Sequence, residues 1–437
     1  MTKKSSRIGS YIISIIFLLV STIAFSDEYA PYSIKIEGLG GYIYPHDVNI
    51  VKPVAPNGGP SLGGQVAFEW HMDGSKQWHR DFNMPTVGLA LQVIDLHNPE
   101  VLGQMIAPYT YINIPMVHSK VADFNFMIGG GFGFCTKPCD IDGAREDPRG
   151  LKGSDPATNK AFDYNFVIGG PFTFNLQAGL NVDFHVHKQV DITLGVDYNH
   201  FSSGSLIQPN SGLNIFDGKI GVKYHPVLKE KKVYTVEKDT TKLKRWYGEV
   251  IVSGGAKILY YQDTKYYGCA SLNIGGYYRT CRQHRIGLGL DMFYDGAFTQ
   301  TAIYNETTGK WEGYYENTKY CKTFTTEDKF LNKFRVGLNI TNDIIIGKLL
   351  IGFGVGIYLY DPVKNMEPYS DAKNAANEGK SLNRGLFYSY TPDSQDGWNY
   401  FRLSCKYYIT KHLLAQIAFK THLQKVEFVE FGIGTWF

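Results

Sequence analysis

A histidine and a serine two residues apart, His200 and Ser202, close a strand-like run that begins at Asp191. Side chains in a strand alternate between faces. One row therefore reads Ile192, Leu194, Val196, Tyr198, His200 and Ser202, and the other Thr193, Gly195, Asp197, Asn199, Phe201 and Ser203. The first row is apolar until an aromatic ring, an imidazole and a hydroxyl end it. An imidazole that takes the proton of a nearby hydroxyl creates a nucleophile. At the rim of a greasy surface, that pair points to chemistry on a lipid. Without further support, a His and a Ser so placed most often form part of a rim hydrogen-bond network.

The elements that would carry this pair are strands. The 437 residues hold 47 Gly, 31 Tyr and 27 Phe, with 19% charged. Glycine with aromatics, without long hydrophobic runs, suits alternating strands. Lys3, Lys4 and Arg7, the apolar stretch Tyr11 to Phe25, and the small residues at Ala24-Phe25-Ser26 read as a cleaved secretory signal over 1–26, or less readily as an anchor. Beyond it no segment reaches the ~20 apolar residues of a membrane-spanning helix. The net charge of +3, without a basic stripe, argues against a nucleic-acid partner. The end, Val426 to Phe437, alternates through Val429, Phe431, Ile433 and Thr435 to the terminal Phe437. It resembles the terminal signal of bacterial outer-membrane barrels. The expectation is an all-β, antiparallel outer-membrane β-barrel of Gram-negative origin.

Sixteen candidate strands follow, near 32–46, 58–72, 86–97, 105–117, 122–136, 166–184, 189–202 and 214–226, then 246–259, 268–280, 284–298, 333–345, 347–360, 399–409, 412–423 and 425–437. Fourteen is the alternative count. With both ends periplasmic, the polar stretches 140–165, 299–332 and 361–398 fall outside, and His200 and Ser202 lie level with the outer leaflet. The strands would close as one wide barrel, the preferred reading because the terminal signal occurs once, or as two tandem eight-stranded units. The domain division is 27–228 and 229–437, with the charged stretch Lys229 to Arg245 as connector. Duplication is suggested by Ile128 to Phe134 against Ile351 to Ile357, and by Ile220 to Tyr224 against Ile433 to Phe437. His422 is the only counterpart of His200 and is expected to face inward with Lys420 and Gln416, while Gln424 stands where a serine would be.

Of six cysteines, Cys135 with Cys139 and Cys269 with Cys321 are possible disulfide pairs in an oxidising compartment, whereas Cys281 and Cys405 have no obvious partner. His185 and His187 have same-face spacing but read as a solvated turn rather than a metal site.

The segment His200-Phe201-Ser202-Ser203-Gly204, continuing through Pro209-Asn210 to Asn214, resembles the active-site segment of the outer-membrane lipid A 3-O-deacylases. Asn98 to Gly103 and Pro108 to Pro115 are similar to that group as well, and the resemblance covers roughly 30–226. It implies a small barrel with its site on the lipid-facing wall, hydrolysing the 3-position ester of lipid A, with no cofactor or metal. Carried over, Ser202 is the nucleophile and His200 its base. Asn210 matches the family's Pro-Asn asparagine, which shapes the loop or orients substrate. Two positions depart from the pattern. Ser203 stands where the family has the asparagine associated with the oxyanion hole, and Asn214 stands where it has an acid. Asn214 shares the lipid-side row with Phe216, Gly218 and Ile220, whereas the nearest acid, Asp217, faces the other way. An amide oxygen can fix the imidazole tautomer but does not stabilise the imidazolium as a carboxylate does. The expected function is an esterase acting on lipid A or lipopolysaccharide of the outer leaflet, with Ser203 and Gly204 as further oxyanion candidates. The alternative is a silent barrel serving as a channel or structural surface protein.

Overall fold

The computed structural model describes residues 28–46, 59–142, 164–230, 243–258, 265–297, 303–305, 310–312, 329–362, 398–422 and 426–437. The leader assignment over 1–26 falls outside them. The chain divides into two compact units. In the first, a short strand β1 (Glu28–Tyr29) precedes β2 (Tyr32–Ile43) and β3 (Gly59–His71). A one-turn helix α1 (Gln77–Asp81) then leads to β4 (Thr86–Asp95), β5 (Gln104–His118) and β6 (Ala122–Cys135). The unit ends with β7 (Phe172–His187), β8 (Val190–Ser202), β9 (Leu213–Tyr224) and β10 (Lys229–Glu230). Strands β2 to β9 pair antiparallel in sequence order and close as β9 meets β2, while β1 pairs with β10.

The second unit holds β11 (Trp246–Lys257), β12 (Tyr267–Cys281) and β13 (His284–Asp295), followed by a small hairpin, β14 (Ile303–Asn305) with β15 (Lys310–Glu312). Then come β16 (Phe334–Ile346), β17 (Leu349–Tyr360), β18 (Asn399–Tyr408), β19 (Leu413–Thr421) and β20 (Val426–Trp436). Eight of these close a second barrel, β20 pairing with β11. Phe437 and Gly248 exchange backbone bonds of 3.0 and 2.9 Å at that seam. All sixteen expected strands form, but the preferred single wide barrel does not. Each set of eight finds its own closing partner, so the tandem alternative is the one realised. The two glycine-rich repeats occupy corresponding strands, β6 and β17, each the fifth of its barrel.

Both barrels are inverted relative to a water-soluble protein. In the first, Ile36, Val66, Leu91, Val196 and Ile220 point outward and are exposed, while Lys35, Glu37, Glu69, Asp183 and Lys223 are buried inside. Lys35 Nζ lies 3.2 Å from Glu37 and 3.3 Å from Glu69, and Lys223 Nζ lies 2.6 Å from Asp183 and 3.1 Å from Glu69. Tyr111 OH donates to Glu69 at 2.6 Å. A barrel with a charged, paired lumen and an apolar wall is stable where its surroundings are hydrocarbon. The second lumen repeats the pattern: Arg285 pairs with Glu249 and Asp343 at 2.6 Å each, and Lys406 with Glu249 at 3.0 Å. His422 turns inward as expected, 3.2 Å from Tyr358 OH.

One end of the first barrel is sealed by apolar packing instead. Leu39, Ile43, Ile94, Leu102, Met105, Val167, Phe201, Leu213 and Ile215 form a buried cluster. Cys135 belongs to it, its thiol donating to Leu102 O at 3.5 Å, and Cys139 is anchored by its backbone N–H to Ile168 O at 2.8 Å. The expected Cys135–Cys139 bridge is therefore absent, and both are buried free thiols. Burial pushes the Cys139 thiol up to about 12. Cys269 is likewise free, and Cys321 lies outside the described residues.

Candidate active site

The sealed end carries the residues singled out in sequence. Phe201 is fully buried in the apolar cluster, which sends its neighbours His200 and Ser202 to the opposite side of β8. On β9, Leu213 and Ile215 enter the same cluster and turn Asn214 outward between them. His200 and Asn214 are direct partners in the β8–β9 register. One inward anchor on β8 and two on β9 thus fix two outward side chains opposite one another, and His200 Nδ1 stands 2.6 Å from Asn214 Oδ1. Tyr198 OH donates to the same oxygen at 2.7 Å. With Nδ1–H committed to Asn214, the imidazole presents Nε2 as its basic atom.

Ser202 is the next outward position along β8, and its cross-strand partner on β7 is Phe174. Ser202 is 8% exposed and Ser203 2%. Past them the chain turns sharply: Gly204 has φ +62° and Ser205 φ +69°. Gly212, at φ +72°, returns the chain into β9 so closely that a Cβ there would lie 3.1 Å from Phe201 O and 3.3 Å from His200 Cε1. The Val167 carbonyl, held in the apolar cluster, accepts from the N–H of Ser211 at 3.1 Å and of Gly212 at 3.4 Å. Asn210 lies in this same return segment, half-buried.

Asp217 does face the lumen, where Ser61 Oγ and Asn199 Nδ2 donate to it at 3.0 and 2.9 Å. Alternation thus sets the outward and inward faces on both strands, as expected. A further residue at the site, His46, carries no signal in the strand pattern. The chain leaving β2 crosses the barrel seam, Tyr44 N–H donating to Asn214 O at 2.9 Å, and brings His46 Nδ1 to 3.0 Å from Asn214 Nδ2. These residues are 168 apart, and only closure of β2 on β9 joins them.

Aromatic rings flank the site. Phe132, Phe134, Phe172 and Phe174 form a contiguous outward patch on β6 and β7, with centroids 5.1 to 6.1 Å apart. Tyr198, Phe216 and Tyr44 form another beyond Asn214. At the other end of the barrel, His185 contacts Asp191 at 3.0 Å and Asp123 at 3.5 Å, while His187, past a register shift, is exposed. The two do not form a chelating pair, and among the described residues no cluster of three His, Cys, Asp or Glu is placed to hold a metal.

Two antiparallel eight-stranded barrels with apolar walls and charged lumens define a protein of the outer-membrane β-barrel class. Residues 62–223 match the family described as Lipid A 3-O-deacylase (PagL), and residues 246–371 and 381–437 match the one described as Acyloxyacyl hydrolase, C-terminal domain. The first match falls within the first barrel, and the second runs over all eight strands of the second barrel. Among solved structures it is similar to the outer membrane enzyme PagL, at 15% identity over 44% of this chain and 99% of that one, with a TM-score of 0.26. Neisserial surface protein A matches at 7% identity over 45% of this chain and 98% of its own, TM-score 0.29. The N-terminal β-barrel domain of Pseudomonas aeruginosa OprF matches at 13% over 45% and 100%, TM-score 0.24. No curated protein matches the sequence.

Proposed function

We propose that the chain is an outer-membrane serine esterase that removes an ester-linked acyl chain, at the 3-O position, from lipid A or a related lipid of the outer leaflet. The observation that carries this reading is the 2.6 Å bond between His200 Nδ1 and Asn214 Oδ1 on the outward wall, beside Ser202. A bond in that sense leaves Nε2 free to accept the Ser202 proton. Ser202 Oγ then bonds to the ester carbonyl carbon, and the tetrahedral oxyanion collapses with loss of the sugar oxygen. That oxygen takes its proton from the imidazolium, and water, deprotonated by His200, releases the fatty acid. Backbone N–H groups of Ser203 and Gly204, at the sharp turn after the nucleophile, are the proposed donors to the oxyanion, and Asn210 keeps the role of shaping the loop or orienting the substrate. The phenylalanine patch on β6 and β7 begins beside Ser202 and would carry the acyl chain. The channel reading loses support for the first barrel, whose lumen is filled by paired charges and whose site end is closed by apolar packing.

Mass spectrometry of lipid A from cells expressing the chain or its Ser202→Ala variant tests the proposal. Loss of one acyl chain with the intact serine alone is expected. Unchanged lipid A, with both proteins folded in the outer membrane, would overturn it.

A further inference from the structure

Asparagine in place of an acid has one defect that a carboxylate lacks: its two ends differ. Turned one way, its oxygen accepts Nδ1–H of the histidine and leaves Nε2 basic. Turned the other way, its NH2 faces Nδ1, forces the proton onto Nε2 and silences the base. Tyr198 OH does not choose between the two, because a hydroxyl both donates and accepts. His46 does. Its Nε2 lies 3.1 Å from the Ser211 carbonyl, a pure acceptor, so the ring donates there. Its Nδ1 is then a bare lone pair, 3.0 Å from Asn214 Nδ2, and needs a donor. The other tautomer would give Nδ1–H the longer 3.3 Å contact to Tyr44 O and set two acceptors face to face at Ser211. Ser211 is itself pinned by its N–H to Val167 O. Every proton in the relay therefore follows from one backbone carbonyl: Ser211 O accepts from His46, His46 from Asn214, and Asn214 from His200.

We propose that His46 is a positioning residue that holds the Asn214 amide in the one orientation that lets asparagine serve as the third member of the site. The proposal rests on the reading of His200 as the base. It accounts for asparagine in place of an acid at position 214: the selection a carboxylate makes unnecessary is made by a second histidine delivered across the barrel seam.

The test is a set of variants of the full chain in micelles, read in two ways. The 15N resonances of the His200 ring report its tautomer whether or not substrate turns over. They should show Nδ1–H in the wild type and shift toward Nε2–H in His46→Ala. His46→Gln should restore Nδ1–H, because its carbonyl can accept from Asn214 while its amide donates to Ser211. On lipid A, His46→Ala should lower kcat roughly 10- to 100-fold with KM little changed. With Asn214→Asp in the background, where either oxygen serves, the loss should shrink to about three-fold or less. A His200 tautomer indifferent to His46, or an equal loss in both backgrounds, would overturn the proposal, since a mere loop anchor would act alike in both. A His46-dependent tautomer in a protein that hydrolyses no lipid would sustain the positioning role and reject the esterase reading.

Discussion

Asn214 meets His200 at 2.6 Å across a direct register pair, whereas Asp217, three residues further along β9, is turned inward and taken up by Ser61 and Asn199. The strand period decides which of the two can touch the imidazole, and no rotamer of Asp217 reverses it. The consequence is a site with a correctly aimed tautomer and no negative charge. Asn214→Asp is therefore expected to raise kcat by about 10- to 100-fold. This is less than the ~10⁴ separating acid and amide in a serine protease, because the tautomer part of that difference is already met here. Asp217→Asn should leave kcat within a few-fold while weakening the lumen network. Steady-state hydrolysis of lipid A in micelles checks both. A fall in kcat with Asn214→Asp would remove Asn214 from the proposed site.

The phenylalanine patch gives a second expectation. Phe132 is 43% exposed and pairs across strands with Phe174, the register neighbour of Ser202. An acyl chain lying there would gain about 1 kcal/mol from one ring. Phe132→Ala should accordingly raise KM several-fold with kcat nearly unchanged, the mark of binding shared by ground and transition states. An unchanged KM across acyl-chain lengths would place the chain elsewhere on the wall.

The lumen of the first barrel supplies a prediction about stability. Lys223 sits between Glu69 and Asp183, at 3.1 and 2.6 Å, and all three are buried. Lys223→Ala leaves two carboxylates without their shared cation, at a cost of about 3–5 kcal/mol. Urea unfolding of the refolded protein should show a lower midpoint for it, and Lys223→Ala combined with Glu69→Gln should recover part of the loss. An unaltered midpoint would mean that the lumen network contributes little to stability.

Strand positions were legible in the sequence because a period of two, bounded by turn residues, recurs sixteen times and each strand carries its own evidence. Faces were legible for the same reason, which is why Asn214 rather than Asp217 could be chosen from sequence. Closure was not. Whether β9 returns to β2 or continues into a larger sheet depends on pairing between segments nearly two hundred residues apart, and no local pattern encodes it. His46 was hidden by the same fact. It follows Tyr44-Pro45 at the end of an ordinary strand, and nothing near it in sequence suggests the site. The cysteine pairing failed for a related reason: spacing brought Cys135 and Cys139 close, but packing committed one thiol to the Leu102 carbonyl inside the barrel.

Gly212 is the most exacting position near the candidate site. At φ +72° an alanine is strained by roughly 1–2 kcal/mol, and its Cβ would press on Phe201 O at 3.1 Å and on His200 Cε1 at 3.3 Å. Phe201 is locked in the apolar cluster, so the imidazole must yield, and a tilt of the ring lengthens its bond to Asn214. Gly212→Ala is thus expected to lower kcat about 10-fold or more and to reduce stability as well. Gly212→Asn separates the two effects. Asparagine tolerates the left-handed region, so stability should largely return while the pressure on His200, and with it the loss of kcat, persists. If Gly212→Asn recovered turnover along with stability, the glycine would serve the turn alone, and the close packing against His200 would have no part in catalysis.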